Sequence, residues 1–439
     1  MVRYACQDEV MVTTATTRRR LPAAQNVIVV GAGLVGLSTA LHLRHAGLEV
    51  TVVEADHVGA GASWGNAGWL TPEIATPLPE PSILKTGVKA LVSANSPLYV
   101  PIRADLNLLR FLTGFLRHST AKQWRKGMAA LMPLNNLTME SFDELESLGV
   151  AETTHPTEFI AAFAEAGQES GLLQEFEDIR AAGYDVDATP LTGDEVREYA
   201  PALSRGVASG IRLGGTRFIN PPKYVAALDT ACKEAGVKFR TGRVTQVDGG
   251  TPQRPAHVTL TESTGTSAET VPSDVVVVAT GAELPKLLRP FGVKMVVQAG
   301  RGYSFTVPVD PMPKVPLYFP HERVACTPLG DRYRVAGMME FRRHLEPLDP
   351  RRIQAIVNAT TPLLAGADFT DRVDEWVGSR PCTPDGLPLV GPTRSPRVVA
   401  AGGHGMWGVT QGPLTGKLIT EYVTTGDVPA MLRPLDPLR

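Results

Sequence analysis

Three glycines with a fixed spacing could hold a phosphate-containing ligand. Gly31, Gly33 and Gly36 form a GxGxxG pattern between an apolar segment and a stretch with helical spacing. In such a turn the first glycine permits the tight bend, the second lets a pyrophosphate approach the backbone, and the third lets helix and strand pack closely. Glu54 follows Gly36 by 18 positions and can accept hydrogen bonds from ribose hydroxyls. The pattern predicts a dinucleotide site.

The segments around these glycines predict one βαβ unit. Residues 27–30 are a β-branched run typical of a buried parallel strand, residues 37–46 have helical spacing, and residues 50–53 return as a second strand. A right-handed crossover then places the turn at the carboxyl edge of an open sheet, where ligands bind. The helix N-terminus directs amide hydrogens and a partial positive charge towards the phosphates.

Two further glycine-rich loops help to choose the cofactor. They are GASWGNAG at residues 61–68 and GGHGMWGVTQGP at residues 402–413, and the second again precedes a helix. That helix N-terminus could face a flavin pyrimidine, where negative charge grows when the ring is reduced. Glu54 disfavours the extra phosphate of NADP but does not separate NAD from FAD. The additional loops favour FAD, the alternative being that each is a tight surface turn.

Composition excludes several classes of protein. The 439 residues leave room for two lobes, and 43 Lys plus Arg against 45 Asp plus Glu give a net charge of −2, without the basic excess typical of nucleic-acid binding. The four cysteines form no CxxC pair, so we predict no metal site, no disulfide framework and a reducing, cytoplasmic setting. No apolar run approaches the roughly 18 residues of a spanning helix.

The order of segments predicts an α/β (α+β mixed) fold, with a Rossmann-like FAD-binding domain interleaved with a mixed-sheet substrate domain. Prolines recur from residue 72 to residue 101, where the chain leaves the first lobe. Helical spacing follows in residues 106–116 and 128–148, and alternation typical of antiparallel strands appears in residues 300–307 and 333–337. The predicted division is a flexible N-terminal tail at 1–25, FAD-binding segments at 26–85, 216–290 and 372–439, and substrate segments at 86–215 and 291–371.

Residues 106–126 allow two interpretations. Their apolar residues recur at three- and four-residue steps, which is typical of amphipathic helices packed on a core. The alternative is a contact with a membrane surface.

These motifs together resemble a known family. The GxGxxG unit, GASWGNAG, RGYSFTV, RVAGMMEF, SRPCTPDGLPLVGPT and AGGHGMWGVTQGPLTGKLITEYV occur in the order found in the FAD-dependent amine and D-amino-acid oxidoreductases. The sequence is most similar to the bacterial D-amino-acid dehydrogenases and the glyphosate-oxidoreductase-like branch, over residues 27–423. The resemblance implies bound FAD and oxidative deamination of a D-amino acid, in which a hydride leaves the amine-bearing carbon for flavin N5 and the imine is hydrolysed.

The resemblance also assigns site residues. Arg380 opens RPCTPDG and is expected to hold the substrate carboxylate through its planar fork. Tyr303 and Tyr318 are candidate hydroxyl donors to the same carboxylate, and His321 is a candidate for orienting substrate. Met406 and Trp407 would form an apolar wall of the substrate pocket; the glycine-oxidase branch has an arginine near position 406, so glycine is disfavoured as substrate.

The predicted FAD contacts run from Glu54 through the first glycine turn to the two later loops. They are Gly31, Ala32, Gly33, Leu34, Val35, Gly36, Glu54, Ala55, Ala62, Ser63, Asn66, Ala67, Gly68, Val244, Ala279, Thr280, Gly281, His404, Gly405, Met406, Trp407, Gly408, Val409 and Thr410.

Alternative functions remain open at this point. One is oxidation of a secondary amino acid of the hydroxyproline, sarcosine or N-substituted glycine type, and another is a non-catalytic flavin-binding electron-transfer subunit. An NAD-dependent dehydrogenase is a third. The electron acceptor is a quinone or oxygen, and the protein is expected in the cytoplasm, with the inner face of the cell membrane as an alternative. The sequence leaves the oligomeric state open.

Overall fold

The computed structural model describes residues 21, 23–81, 98–101, 104–251, 253–261 and 268–439. Residues 1–20 and 22 of the predicted N-terminal tail lie outside this part, as do residues 82–97.

The described strands and helices are numbered in chain order. The strands are β1 (Asn26–Val30), β2 (Glu49–Glu54), β3 (Trp69–Leu70), β4 (Leu98–Tyr99), β5 (His155–Phe163), β6 (Ala188–Thr192), β7 (Ser209–Phe218), β8 (Lys238–Thr241), β9 (Arg243–Asp248), β10 (Ala256–Thr261), β11 (Ala268–Ser273), β12 (Val275–Val278), β13 (Gln298–Val307), β14 (Leu317–Phe319), β15 (Val324–Leu329), β16 (Arg332–Phe341), β17 (Val373–Cys382), β18 (Leu389–Pro392) and β19 (Val398–Gly402). The α-helices are α1 (Leu34–His45), α2 (Leu106–His118), α3 (Ala121–Asn135), α4 (Thr138–Ser147), α5 (Ser170–Ala181), α6 (Gly193–Tyr199), α7 (Pro221–Glu234), α8 (Leu284–Leu288), α9 (Pro350–Thr360) and α10 (Gly408–Thr425).

A six-stranded sheet carries the glycine turn. Its order is β18-β19-β12-β1-β2-β8, and every pair is parallel except β18 with β19. The β-branched residues of β1 are buried on both faces of the sheet, as is usual for parallel strands. Val27 and Val29 pack in a cluster with α1, and Ile28 and Val30 pack in a cluster with the three-stranded sheet β11-β10-β9. The predicted βαβ unit is confirmed as β1, α1 and β2.

A larger mixed sheet faces this domain. Its main path is β17-β13-β16-β15-β14-β5-β7-β3, with β4 beside β16 and β6 beside β7. The two regions predicted to alternate as antiparallel strands are β13 and β16, which pair directly with each other. One face of β13 packs against α9 in an apolar cluster that contains Phe305 and Ile356. The mixed α/β fold is therefore confirmed.

Two elements differ from the sequence prediction in detail. The helix predicted over residues 128–148 is two helices, α3 and α4, which separate at Asn136 and Leu137 shortly after Pro133, a residue without an amide hydrogen. The strand predicted between residues 237 and 244 divides at Gly242 into β8 and β9, which belong to different sheets.

The predicted domain boundaries stay a prediction. Strands pair across the proposed segments: β17, within 372–439, pairs with β13 in the larger sheet, and β3, within 26–85, pairs with β7 there. Within the described ranges, no helix has the length and apolar character needed to cross a membrane.

Candidate active site

A cavity of about 550 Å³ lies between the six-stranded sheet and the larger sheet. The glycine turn, the end of β2 and the loop at residues 60–66 form one part of its wall. The segments after β12 and β19, together with the last residues of β17, form the rest. The cavity therefore joins the predicted cofactor turn to Arg380.

The glycine turn is packed too tightly for side chains. A Cβ on Gly36 would lie 2.0 Å from the carbonyl oxygen of Gly31, and one on Gly31 would lie 2.6 Å from that of Ala279. Gly31 also has a φ of +108°, which favours glycine. Because the opposing atoms are backbone, α1 can approach β1 and β12 this closely only where these positions lack side chains.

Side chains of the site bond two amides of the turn. Ala32 donates its amide hydrogen to Glu54 Oε2 at 2.8 Å, and Leu34 donates to Ser63 Oγ at 3.0 Å. The other oxygen of Glu54 accepts from the amide of Asp56 at 3.1 Å. A carboxylate has about four acceptor sites, so Glu54 can still accept from a ribose hydroxyl.

The loop at residues 61–68 is held by its own asparagine and by the larger sheet. Asn66 Nδ2 donates to the carbonyl of Ser63 at 2.8 Å, and its Oδ1 accepts from the amide of Gly68 at the same distance. Ser304 of β13 donates to the carbonyl of Gly65 at 2.6 Å, and Thr327 of β15 donates to that of Ala67. Asn66 thus shapes the loop, and the larger sheet fixes its position at the cavity.

The loop before α10 contains a buried neutral histidine. His404 lines the cavity, and its Nε2 lies 2.9 Å from the hydroxyl of Thr415 in α10. Since Thr415 donates its own hydrogen to the carbonyl of Gln411, it accepts from His404. Burial lowers the pKa of His404 to about 4, so the imidazole is uncharged at neutral pH. His404 therefore links the loop to α10 as a neutral donor.

The neighbouring residues Met406 and Trp407 have different surroundings. Met406 lines the cavity. The indole of Trp407 instead donates to the carbonyl of Thr76 at 2.7 Å, and its side chain is not part of the cavity lining among the described residues.

Arg380 lies over Gly302 of the neighbouring strand β13. Its guanidinium crosses β13 and donates to the carbonyl of Met338 in β16 at 3.0 Å. A Cβ on Gly302 would lie 2.2 Å from Nη1 of Arg380, and one on Gly378 would lie 2.0 Å from the ring of Trp376. The indole of Trp376 in turn occupies the space beside Gly65. The absence of side chains on these strands leaves room for both Arg380 and Trp376 at the cavity.

Arg380 has no carboxylate counterion in the described part of the chain. It lines the cavity half-buried, and burial lowers the pKa of its guanidinium from the ordinary value. A cation removed from water is costly unless an anion or hydrogen-bond acceptors replace the water. The arrangement suits an anion that arrives in the cavity, and the planar guanidinium fork matches a carboxylate.

Tyr303 also reaches the cavity lining, but its hydroxyl is committed elsewhere. It donates to Oε2 of Glu340 at 2.6 Å, and burial together with that carboxylate raises the pKa of Tyr303. The ring packs in the cluster that contains Phe305 and Ile356. Donation to a substrate carboxylate would require the bond to Glu340 to break.

The other two candidate residues lie outside the cavity lining. Tyr318 packs its ring edge-on against Trp69, with centroids 5.5 Å apart, and burial raises the pKa of its hydroxyl. Cross-strand register places Tyr318 on the same face of the sheet as Ser304 and Trp376, through Ala325 and Ala336. His321 is exposed in the turn between β14 and β15. Their substrate roles stay predictions.

Most of the predicted cofactor contacts come together in the cavity. Those in its lining are Gly31, Gly33, Leu34, Val35, Glu54, Ala55, Ala62, Ser63, Asn66, Val244, Ala279, Thr280, Gly281, His404, Gly405, Met406, Gly408 and Val409. Those outside the lining are Ala32, Gly36, Ala67, Gly68, Trp407 and Thr410. Ala32 and Gly36 still shape the turn, through the amide bond to Glu54 and the close helix packing.

Several lining residues were not predicted. Trp376 and His344 are two of them, and Arg243 and Lys286 form ion pairs with a third, Glu283. His344 lies in the loop after β16, three residues beyond its end, and no motif in the surrounding sequence marks it as a site residue. Trp376 occupies the space beside Gly65 and Gly378, whose missing side chains make room for a large ring, but the approach to Gly65 is visible only in the folded protein.

The residues present fit FAD. The glycine turn and the N-terminus of α1 suit the pyrophosphate, and Glu54 suits the ribose. The cavity lining also includes the loop before α10 and Arg380. When bound, FAD supplies the capacity to accept a hydride.

Comparisons with known proteins identify a family for the chain. The family model described as DAO, FAD dependent oxidoreductase, matches residues 26–422. A D-amino acid dehydrogenase from Cereibacter sphaeroides is 30% identical over 406 residues, covering 90% of this chain and 91% of that protein. Another from Rhizorhabdus wittichii is 30% identical over 403 residues, covering 90% and 95%.

A solved structure gives the same fold. Glycine oxidase from Geobacillus kaustophilus superimposes with a TM-score of 0.69 at 21% identity, covering 94% of this chain and 99% of that one. The family match covers both sheets and the cavity between them. The chain therefore belongs to the DAO family of FAD-dependent oxidoreductases.

Proposed function

We propose that the protein catalyses FAD-dependent oxidative deamination of a D-amino acid. The observation that carries the proposal is Arg380, a cation without a carboxylate counterion in the described residues, at one end of a cavity whose other end suits FAD. The relatives named D-amino acid dehydrogenase, at 30% identity over 90% of the chain, support the substrate class.

Arg380 binds the α-carboxylate in this proposal. Two parallel hydrogen bonds from its fork fix the orientation of the carboxylate, so that the hydrogen on the amine-bearing carbon faces the cofactor. Its bond to the carbonyl of Met338 keeps the guanidinium over Gly302 before substrate arrives. The guanidinium is therefore already in position in the folded protein and does not have to reorganise during the reaction.

The remaining residues control the surroundings of the reacting carbon. The N-terminus of α10 lies at the cavity, where its partial positive charge stabilises negative charge. Neutral His404 holds that helix to the preceding loop without adding a charge. Met406 offers an apolar contact to a substrate side chain. The imine product is hydrolysed by water after release.

The substrate test uses purified protein and an artificial dye as electron acceptor. We expect dye reduction with D-amino acids and little with their L-enantiomers, and bleaching of the flavin absorbance when a D-amino acid is added without oxygen. Sarcosine and hydroxyproline test the secondary-amine alternative, and hydrogen peroxide formation in air distinguishes oxygen from a quinone as acceptor. A flavin that stays oxidised with every amino acid would leave only an electron-transfer role.

The anchor test uses Arg380→Ala and Arg380→Lys. Removing the fork should raise KM and lower kcat/KM by about two decades or more while FAD stays bound, and lysine should restore only part of the loss because it lacks the bidentate geometry. Flavin content, read from the visible spectrum, is the control. Unchanged kinetics in Arg380→Ala would remove Arg380 from the substrate site.

A further inference from the structure

Arg334 of β16 is a buried cation next to the loop at residues 61–68. The residue is 1% exposed, its Nη1 donates to the carbonyl of Trp64 at 3.2 Å, and its guanidinium carbon lies 5.3 Å from the centroid of the Trp64 ring. Its Nε is also buried and has no hydrogen-bond partner among the described residues. Burial lowers the pKa of the guanidinium to about 10, so Arg334 stays charged at neutral pH.

The surrounding fold compensates this charge only in part. Within the part of the chain that the structure describes, no carboxylate forms an ion pair with Arg334. Asp374 of β17 favours the charged form from a distance, but its carboxylate is exposed and accepts a hydrogen bond from Thr306 at 3.2 Å. A buried cation is costly when few groups replace its water.

Attachment of the loop to the larger sheet does not require a charge. Ser304 and Thr327 lie on the two strands that flank β16, and they donate to the carbonyls of Gly65 and Ala67, each at 2.6 Å. Both donors are neutral hydroxyls. A neutral donor in place of Arg334 would complete the same attachment with a smaller desolvation cost, so the positive charge has a consequence beyond holding the loop.

The peptide between Trp64 and Gly65 connects Arg334 to the cavity. In a planar trans peptide the carbonyl oxygen and the following amide hydrogen point in opposite directions. The carbonyl of Trp64 points to the larger sheet, so the amide hydrogen of Gly65 points away from that sheet. The carbonyl of Gly65 orients the amide of Asn66 in the same way. Gly65 and Asn66 line the cavity, and among the described residues neither amide hydrogen has an acceptor.

Arg334 differs from Arg380 in how it can act on a ligand. Arg380 lines the cavity, whereas Arg334 is outside the lining formed by the described residues. Ala336, two residues further along β16, does line the cavity. A ligand therefore meets Arg380 directly and senses Arg334 through the loop.

We propose that Arg334 is a positioning residue for the flavin, which holds and polarises the Trp64–Gly65 peptide so that the amide hydrogen of Gly65 donates to the isoalloxazine ring. A carbonyl that accepts a hydrogen bond from a cation strengthens the donor at the other end of its peptide. Reduction adds two electrons and one proton to the ring as hydride and leaves one negative charge, which this donor stabilises. Arg334 thus raises the reduction potential of bound FAD.

The reduction potential of FAD in the purified protein tests the proposal without any amino acid. Arg334→Met removes the charge and the donor at similar length, and it should lower the potential by about 30 mV or more, which is tenfold for a two-electron couple. Arg334→Gln keeps a donor without the charge, and Arg334→Lys keeps the charge without the planar fork. Both should give intermediate potentials, with lysine closer to the wild type.

Arg397→Met is the matched control. Arg397 is also buried and donates to a backbone carbonyl, that of Asp274, at 3.0 Å. It precedes β19, whereas the cavity lies at the other end of that strand. The bound FAD of this variant should have the wild-type potential.

Sulfite gives a second measurement on the oxidised protein. Its sulfur forms a bond to flavin N5 and leaves a negative charge on the ring, with loss of the visible absorbance. The dissociation constant for sulfite should rise by about tenfold in Arg334→Met and stay unchanged in Arg397→Met.

A purely structural role for Arg334 predicts a different result. Arg334→Met would then lower the melting temperature and the FAD content, while the FAD that stays bound would keep its potential and its affinity for sulfite; that result would overturn the proposal. If Arg334→Met does not fold, Arg334→Gln and Arg334→Lys decide: a lower potential in the glutamine variant supports the proposal, and equal potentials overturn it. Absence of turnover with every D-amino acid would refute the proposed function and leave these measurements unaffected.

Discussion

The two faces of strand β13 differ in whether a buried charged side chain has a partner of opposite charge. On the cavity face, Gly302 gives room to Arg380, which has no carboxylate counterion in the described residues. On the face covered by α9, Arg301 and Tyr303 share the buried carboxylate of Glu340, whose Oε1 also lies 2.7 Å from Nε of Arg342. A compensated charge belongs to the structure of the fold, whereas an uncompensated one is available to a ligand.

This difference separates two residues that their side-chain types alone do not separate. Tyr303 and Arg380 both looked suitable for a substrate carboxylate, and both reach the cavity lining. Strand alternation sends the side chain of Tyr303 to the α9 face, where a protein carboxylate already accepts its hydrogen bond. Among the residues that the structure describes, no carboxylate pairs with Arg380.

The largest effect should come from removing the shared carboxylate. Glu340→Gln leaves Arg301 buried without its nearest anion, and we expect a loss of about 3–5 kcal/mol in the free energy of unfolding. Urea unfolding of the flavin-loaded protein measures it. Glu49→Gln, in an exposed pair with Lys238, is the control and should change stability little. Equal effects of the two changes would remove the distinction between the faces.

Glu73 tests the reverse case, a buried carboxyl for which the described residues supply no ion-pair partner. Its Oε2 has no hydrogen-bond partner in the described residues, and burial raises its pKa from 4.5 to about 8. The folded state then keeps a proton that the unfolded state releases, so stability present below pH 4.5 is lost as the pH rises towards 8. Glu73→Gln should stabilise the protein by about 3 kcal/mol at pH 7.

The pH dependence sharpens that test. The gain from Glu73→Gln should be small at pH 5 and grow towards pH 8, as measured by thermal unfolding at several pH values. A variant that loses stability at pH 8 would mean that the ionised carboxylate has a partner in the folded protein.

Gly302→Ala should displace Arg380 at the cavity without unfolding the protein. The added Cβ would lie 2.2 Å from Arg380 Nη1, so the guanidinium must move away from its position over β13. We expect kcat/KM for a D-amino acid to fall by about two decades, because a displaced anchor misplaces the reacting carbon. FAD content and melting temperature should stay close to those of the wild type.

Gly171→Ala is the matched control for this change. Gly171 lies in α5 with no atom within 4 Å of an added Cβ. Full activity of Gly302→Ala would show that the open space at Gly302 does not position Arg380.

The smallest effect should come from Tyr303→Phe. The change removes one hydrogen bond to Glu340, so we expect a loss of about 1–2 kcal/mol in the free energy of unfolding. The KM for substrate should not change. A several-fold increase in KM at unchanged stability would return Tyr303 to the substrate site.

Local sequence was enough for the features that short segments determine. The strand, turn and helix at residues 26–45 follow from β-branched residues, glycine spacing and apolar periodicity within one stretch. The resemblance to the amine and D-amino-acid oxidoreductases is confirmed by the family match, and so is FAD as cofactor. Loop 61–68 was also predicted, because glycine and asparagine are typical of turns that bend sharply.

Features that depend on contacts between distant strands could not be predicted from the local sequence. Trp376 and His344 come to the cavity only because β17 and β16 flank β13, and neither carries a local motif. Trp407 was expected at the substrate, but its indole bonds to the carbonyl of Thr76, more than 300 residues earlier in the chain. A partner at that separation leaves no trace in the local pattern.

The sequence by itself determined the glycine turn, which depends on residues close together in the chain and on backbone freedom that glycine alone provides. It also indicated the cofactor and the family, through motifs that occur in order from residue 27 to residue 423. The tertiary structure decided which charged groups are available to a ligand. Whether an arginine meets a carboxylate depends on strand register and on which face of the sheet each side chain occupies, as Arg380 and Arg301 demonstrate.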